Sequence, residues 1–511
     1  MADTKREIER KYEATPETTL PDLTRVTGVS TVVDQGTTEL DAVYYDTSDL
    51  RLAAASITLR RRTGGDDAGW HLKLPVAPGV RDEIRAPLSG TLPRTLKALV
   101  RARTRDHALE PVVRLRSARD LHQLVDADGA LLAEVSRDAV RAERLDDGRT
   151  AAWDEIEVEL ADGGDPALLD KVGKKLHKAG IKSSEAPSKL ARALDETGLA
   201  PGPAPGPPAA PGPPAAPGTA GGEVIGYLRD QVTALLAYDP GVRRNLPDAV
   251  HQMRVATRRL RSAFRSYSTV LDRTATDPLG EELKWLAGEL GAARDTEVLA
   301  ERLRHRLDAL PRTLLLGPVR GRLRIWTTAR GSGSRRRAVT ALDSRRYVAL
   351  LASLDGLLAE PPLRKRATGT PEQVLPRALR KDYGRLADRI EHALSLPAGP
   401  DRDLAMHDAR KAAKRARYAG EVAAPALGGP AKRFAKRMKA VQTVLGDHQD
   451  SVVARDTLKL LAAQAHAAGE SAFTWGLLYG QEQRSAADRE RELPGVWSRA
   501  APEQPREPAG S

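Results

Sequence analysis

Two periods of apolar and polar residues divide this chain. Up to about residue 199 the period is two. Apolar and polar or charged residues alternate at 6–12, 57–63, 70–75, 82–88, 112–116, 131–140 and 153–160, which predicts a strand at each. Turn signals such as Gly64-Gly65-Asp66-Asp67 and Asp146-Asp147-Gly148 separate them. Helices are expected at 93–104 and 165–180, and 119–126 takes no assignment. From residue 223 the period is helical. Glu223–Tyr238, Pro247–Leu271, Leu279–Leu290 and Asp295–Leu310 form one set, and Glu372–Leu396, Arg402–Ala424, Ala431–Leu445 and Ser451–Ala468 a second. Further helices are expected around 312–330, 344–358 and 471–490, with RGSGSRRR at 330–337 as a basic loop. Between the halves, residues 200–222 are Pro, Ala and Gly almost throughout, which suits a semi-stiff spacer. The expected division is 1–199, a linker 200–222, 223–495 and a disordered tail 496–511.

The strands carry charge on one face with unusual regularity. Glu7, Glu9 and Lys11 share a face, as do Arg60 and Arg62, Glu83 and Arg85, Arg114 and Arg116, and Glu155, Glu157 and Glu159, while Lys73 stands among Trp70, Leu72 and Leu74. If the strands close into one antiparallel sheet, Ile8, Leu59, Leu72, Ile84, Leu115, Ile156 and Val158 turn outward against helices and the charged face lines an interior. Clustered carboxylates suit a hard divalent cation, and Arg and Lys suit phosphate oxygens. The same alternation would equally serve a sheet with one solvated, salt-bridged face.

EIERK at 7–11 matches the ExExK signature of the CYTH family, the triphosphate tunnel metalloenzymes. LRRR at 59–62, HLKL at 71–74, DEIR at 82–85, EVSRDAV at 134–140, EIEVE at 155–159 and SK at 188–189 follow in that family's order. The resemblance covers about 190 residues and implies an eight-stranded antiparallel tunnel that binds triphosphate. By that analogy Glu7, Glu9, Glu155 and Glu157 hold Mg2+ or Mn2+. Lys11, Arg60, Arg62, Lys73, Arg85, Arg114, Arg116 and Lys189 hold phosphate, with Lys189 closing one end. Glu7, Glu9 and Lys11 are the candidate catalytic residues. Family activities include hydrolysis of inorganic triphosphate, hydrolysis of thiamine triphosphate and adenylate cyclisation, and these residues do not choose among them.

In the helical half, HQMRVATRRLR at 251–261 has an echo, HDARKAAKRAR, at 407–417. On a wheel stepping by about 100°, His251, Arg254, Arg258, Arg261 and Arg265 fall together, opposite Met253, Ala256, Leu260, Ala263, Phe264 and Tyr267. The echo places His407, Arg410, Lys414 and Arg417 against Ala409, Ala412, Ala413, Ala416 and Ala423. Leu290-Gly291 matches Leu445-Gly446 and Asp295 matches Asp450, so the repeat extends downstream. Two related four-helix units follow. Their cationic faces are either two solvated surfaces or one shared anion site. The recurring H-x-x-R-x-x-x-(K/R)-(K/R)-x-R pattern resembles the CHAD domain, a pseudo-symmetric helical module that binds polyphosphate. That resemblance implicates His251, Arg254, Arg258, Arg261, His407, Arg410, Lys414 and Arg417. The fold class expected is therefore multidomain α+β: an antiparallel β tunnel followed by an all-α pair of tandem four-helix bundles.

Composition narrows the partners. Net charge is +12 but uneven: Lys plus Arg against Asp plus Glu stands at 31 to 35 through residue 222 and 50 to 34 beyond it. The basic half attracts a polyanion. Aromatic residues are 4% and do not interleave with the basic stripes, which disfavours nucleic acid stacking. The chain has no cysteine, which excludes disulfides and thiol chemistry. No apolar run is long enough to span a membrane, and the charged N-terminus lacks a secretory core, so a cytoplasmic protein is expected. The two resemblances together point to inorganic triphosphate and polyphosphate as partners, and to association with polyphosphate granules. A metal-dependent triphosphatase with a polyphosphate-binding module is the leading reading, and a non-catalytic polyphosphate-binding or targeting protein the alternative.

Overall fold

The computed structural model describes residues 3–199 and 216–501, apart from the side chains at 3, 292–295 and 332. The chain falls into two compact units, Met1–Pro205 and Gly206–Ser511.

The first unit is a closed eight-stranded barrel: β1 Asp3–Ala14, β2 Thr31–Asp46, β3 Thr58–Thr63, β4 Gly69–Ala77, β5 Val80–Pro87, β6 Glu110–Val125, β7 Leu131–Arg144 and β8 Thr150–Leu160. Around the barrel the order is β1-β5-β4-β3-β2-β6-β7-β8, and β8 closes on β1 with Lys11 opposite Glu157. Four helices accompany it: α1 Arg51–Ala54, α2 Arg94–Thr104, α3 Ala167–Lys178 and α4 Lys189–Glu196. Apolar residues of the outward face pack against α2 (Leu59, Leu72, Ile84 with Leu96 and Val100) and α3 (Ile156, Val158 with Leu169 and Val172). That leaves the charged residues inside. β2 has no counterpart among the predicted strands. Its first half is exposed on both faces, and a bulge at Gly36 (φ 76°) shifts its pairing with β6, so no clean alternation marks it. The unassigned 119–126 forms the second half of β6 up to Val125.

One face is reversed from expectation. Leu115 and Val113 lie on the inner side of β6, in a cluster with Leu190, Ala193 and Leu194 of α4. Helix α4 thus fills that part of the interior with apolar side chains, and Ser188 caps its start. An inner Leu115 places Ser117, Arg119 and Leu121 inside as well, and Arg114 and Arg116 outside.

The second unit is all helical: α5 Ala220–Arg243, α6 Ala249–Ser266, α7 Arg273–Asp308, α8 Val319–Leu342, α9 Arg345–Ala359, α10 Pro371–Ser395, α11 Pro400–Leu427, α12 Gly429–Ala467 and α13 Phe473–Ala500. Two pairs of expected helices are continuous here as α7 and α12. Gly291 and Gly446 sit inside them without ending them, because tertiary packing outweighs a helix cost of about 1 kcal/mol per glycine. The segment 330–337 is helix within α8 and not a loop: Ser334, Ala338, Ala341 and Leu342 are buried on one side of it. α5 starts inside the stretch read as linker. Thr219 caps it by accepting from the Gly222 amide, and Ala220 is buried. At the other end α13 runs to Ala500, past the expected start of the tail, because Val496 and Ala500 join the core and Trp497 stacks on Tyr383. Linker residues 200–215 and tail residues 502–511 lie outside the described residues.

Candidate functional site

The barrel encloses a cavity of about 500 Å3. Among the described residues its lining carries nine Lys and Arg side chains and eight Asp and Glu. The strand order largely separates the two signs, with Lys5 and Lys11 standing on the acidic β1 and Glu83 of β5 among the cations. Glu7, Glu9, Glu157 and Glu159 come from the adjacent β1 and β8, and Asp138 of β7 and Glu155 of β8 join that wall. Arg60 and Arg62 of β3, Lys73 of β4 and Arg85 of β5 form the wall across from it.

On the acidic wall, Asp138, Glu155 and Glu157 each offer an oxygen, all within 4.8 Å of one another. Lys189 Nζ, from the first turn of α4, reaches all three at 2.9, 2.7 and 2.6 Å. Lys11 pairs with Glu157 and lies 3.5 Å from Glu9. Burial opposes the Glu157 charge, but Lys11, Lys189 and Arg119 outweigh it and hold its carboxyl well below the usual range. Likewise burial disfavours the Lys189 charge, and the carboxylates around it more than compensate. Glu7 Oε1 accepts from Lys73 at 2.7 Å, while Glu7 Oε2 is buried with no hydrogen-bond partner.

On the cationic wall, Arg60 is held charged: burial works against it, but Tyr44, Glu83 and Glu7 prevail. Arg62 is less compensated. Burial, then Arg60 and Arg119, push its guanidinium down to about 9, and the β3–β4 turn answers with Asp67. The Nε atoms of Arg60 and Arg62 are buried without partners. A wall of crowded cations with unmet donors suits an anion with many oxygens. His71 lies behind this wall, its Nδ1 2.9 Å from Glu83 Oε1. Burial foremost, then Arg60, lowers its imidazole to about 4, so it is neutral at pH 7.

Two of the residues singled out from the sequence do not reach the cavity. Arg114 pairs with Asp41 at 38% exposure, and Arg116 is 55% exposed near Glu143. Arg119 takes their place inside, bound to Asp138 and Glu157. Five residues separate it from Arg114, an odd number that puts it on the opposite face. Lys189 does reach the interior, but it faces the carboxylates and not the cationic wall. Lys5, Arg81 and Asp138 complete the charged set and had weaker sequence signals.

The helical unit gathers a second site. α6 and α11 pack side by side, joined by Arg259–Glu421 at 3.0 Å and by Tyr267 Oη donating to the Ala419 carbonyl at 2.7 Å. Their cationic faces converge: burial and then Arg410, Arg258 and Arg254 push Lys414 down to about 7. Arg254 Nη1 donates to the Gly291 carbonyl at 3.0 Å. A Cβ at Gly291 would lie 3.3 Å from the same guanidinium, and one at Gly446 3.6 Å from Arg410 Nε. The repeated glycines therefore give the repeated arginines their room. His251 opens the face of α6 one turn before Arg254. His407 contacts Gln449, and Arg410 lies 3.6 Å from Asp450. The Nε atoms of Arg258, Arg261 and Arg410 are buried without hydrogen-bond partners. Arg261 is set beside Arg265 and Glu281, further along α6, and Arg417 is occupied by Glu421 and Gln442. Arg302 of α7, which sequence reasoning did not single out, bonds Ser451 beside Asp450. The side chains of Arg294 and Asp295 lie outside the described residues.

A closed β tunnel with opposed acidic and basic walls, followed by a helical domain with a convergent cationic face, defines a triphosphate-tunnel protein with an appended helical anion-site domain. The CYTH domain model matches residues 5–194 and the CHAD domain model residues 226–459. An uncharacterized protein of Mycobacterium tuberculosis is 41% identical over 505 residues, covering 95% of this chain and 94% of its own. The chain belongs to the family that joins a CYTH domain to a CHAD domain. Among solved structures, PptA from Streptomyces chartreusis is similar at 22% identity, covering 55% of this chain and 99% of that one with a TM-score of 0.46. The CHAD domain from the plant Ricinus communis is similar at 25% identity, covering 55% and 91% with a TM-score of 0.43. CYTH proteins are metal-dependent and include triphosphatases and cyclases, and the two domain types are associated with triphosphate and polyphosphate binding. Among the described residues no helix is long and apolar enough to cross a membrane.

Proposed function

We propose that the barrel hydrolyses inorganic triphosphate to diphosphate and phosphate with Mg2+ or Mn2+, and that the helical domain binds polyphosphate. The observation that carries this reading is the opposition of a carboxylate wall to a cationic wall across one cavity. The residues present fit a hard divalent cation. Asp138, Glu155 and Glu157 offer oxygens at close range, all within 4.8 Å of one another. Glu9 stands beside them on β1. A cation there would neutralise charge on the anhydride as it breaks.

The chain's own residues do the rest. Arg60, Arg62, Lys73, Arg85 and Arg119 hold phosphate oxygens and fix the anhydride across the cavity. Lys11, poised between Glu9 and Glu157, keeps those carboxylates ionised and adds positive charge near the leaving phosphate. Glu7, with one oxygen held by Lys73 and the other free, is placed to take the proton of the attacking water. In the helical domain Arg254, Arg258, Arg410 and Lys414 form a site for a chain of phosphates.

Purified protein given triphosphate with Mg2+ or Mn2+ should release orthophosphate, and Glu7→Gln should reduce the rate by about 100-fold or more. Absence of release by folded protein with either metal would overturn the hydrolase reading. A binding-only tunnel is favoured by one observation: Lys189 already lies between the three carboxylates and offsets part of their charge. In that case triphosphate binds equally well with and without chelator. A panel of triphosphate, polyphosphate, ATP and thiamine triphosphate separates hydrolysis from cyclisation and selects the substrate.

A further inference from the structure

A different set of ligand atoms converges in the second helical repeat. Asp403 stands in the first turn of α11, His448 in the middle of α12 and Glu490 on α13. His448 is 0% exposed. Its Nε2 lies 3.2 Å from Asp403 Oδ1 and 3.4 Å from Glu490 Oε1, yet makes a well-aligned hydrogen bond to neither, and its Nδ1 has no partner. Each carboxylate spends its other oxygen on a guanidinium. Arg455 donates to Asp403 Oδ2 at 2.6 Å, and Arg402 Nη1 lies 3.3 Å from Glu490 Oε2. The remaining oxygens are thus turned toward the imidazole nitrogen, and one ligand atom from each residue lies within 4.8 Å of the others. An ion-pair cluster alone has no need of a fully buried imidazole whose Nε2 is shared between two carboxylate oxygens and whose Nδ1 is unbonded. A buried polar atom that nothing meets is destabilising.

We propose that Asp403, His448 and Glu490 bind a first-row divalent cation, Zn2+ in preference to Mg2+ or Ca2+, which ties α11, α12 and α13 together. One imidazole nitrogen with two carboxylate oxygens is a mixed donor set that suits Zn2+ and Mn2+, whereas Mg2+ and Ca2+ favour oxygen alone. Arg455 and Arg402 act as outer partners that orient the ligating oxygens. They also draw charge from those oxygens, so affinity is moderate. Asp403 and Glu490 side chains are 19% and 14% exposed, which leaves a route from solvent. The ion would steady the polyanion face, because the next two residues of α12 contact it: Gln449 holds His407, and Asp450 faces Arg410. The site belongs to the second repeat alone, since the repeat offset places Ala293 in register with His448 and Pro247 with Asp403.

The test uses the full-length chain carrying Glu155→Gln and Glu157→Gln to weaken the tunnel carboxylates, stripped with chelator and titrated with Zn2+ in excess Mg2+ by calorimetry. Co2+ serves in parallel as a visible-absorption probe of imidazole ligation. The expected result is one equivalent of Zn2+ and a Co2+ spectrum, both lost in His448→Gln with the helical circular dichroism retained. Asp403→Asn and Glu490→Gln should each weaken binding at least about tenfold, and they decide the matter if His448→Gln fails to fold. No Zn2+ binding by the parent, or unchanged stoichiometry and spectrum in these variants, would overturn the proposal.

Discussion

Replacing Lys189 by Met removes one charge from the acidic wall while keeping all but the last atom of the side chain's length. Lys189 Nζ is buried and lies 2.9, 2.7 and 2.6 Å from Asp138, Glu155 and Glu157. Removing one partner of a buried ion pair typically costs about 3–5 kcal/mol, because the other charge is left uncompensated. Here Arg119 still binds Asp138 and Glu157, and Lys11 still pairs with Glu157, so the lower end of that range applies. For a domain of this size about 3 kcal/mol corresponds to a fall of roughly 6–12 °C in melting temperature. The three carboxylates would hold a divalent cation in the site that Lys189 vacates, so Mn2+ should recover most of the loss. Calorimetric scans of the full-length chain, with chelator and with Mn2+, read this on the transition that triphosphate shifts. Equal destabilisation with and without metal would show that these carboxylates do not hold the ion. A loss below about 1 kcal/mol would show that the cluster is effectively solvated.

Three further results are expected. Arg62→Ala should raise KM for triphosphate about 10- to 100-fold, the worth of a charged hydrogen bond; Arg114→Ala and Arg116→Ala, on the outside of β6, should leave steady-state kinetics within about twofold of the parent. Arg254→Ala with Arg410→Ala should weaken polyphosphate binding by at least about 100-fold by titration while triphosphate turnover persists. Polyphosphate affinity should fall as pH rises through about 7, because Lys414 is already protonated below that value and must take up a proton on binding above it. Lys414→Arg should flatten that dependence. For folding the sign is opposite: the unfolded chain binds this proton up to about pH 10, so the buried Lys414 charge penalises the folded state most below pH 7, and that penalty is relieved as pH rises from 7 to about 10.

The sequence by itself determined the two periods, the ordered charged motifs and the repeat, and hence both domain types. It did so because strand alternation and helical spacing are local properties. β2 escaped because its first half is exposed on both faces and carries a bulge. The continuity of α7 and α12 escaped because Gly291 and Gly446 read as helix breaks until Arg254 and Arg410 are seen packed against them. Only the tertiary structure decided which strand face is inner where α4 enters. One apolar residue, Leu115, turns inward there and carries Arg119 in with it, leaving Arg114 and Arg116 outside. Closure of the barrel likewise decided that carboxylates and cations face each other across a cavity and do not lie along one solvated sheet. The packing of α6 on α11 decided that the two cationic faces meet. These outcomes depend on contacts between residues far apart in the chain, and no local period encodes such contacts.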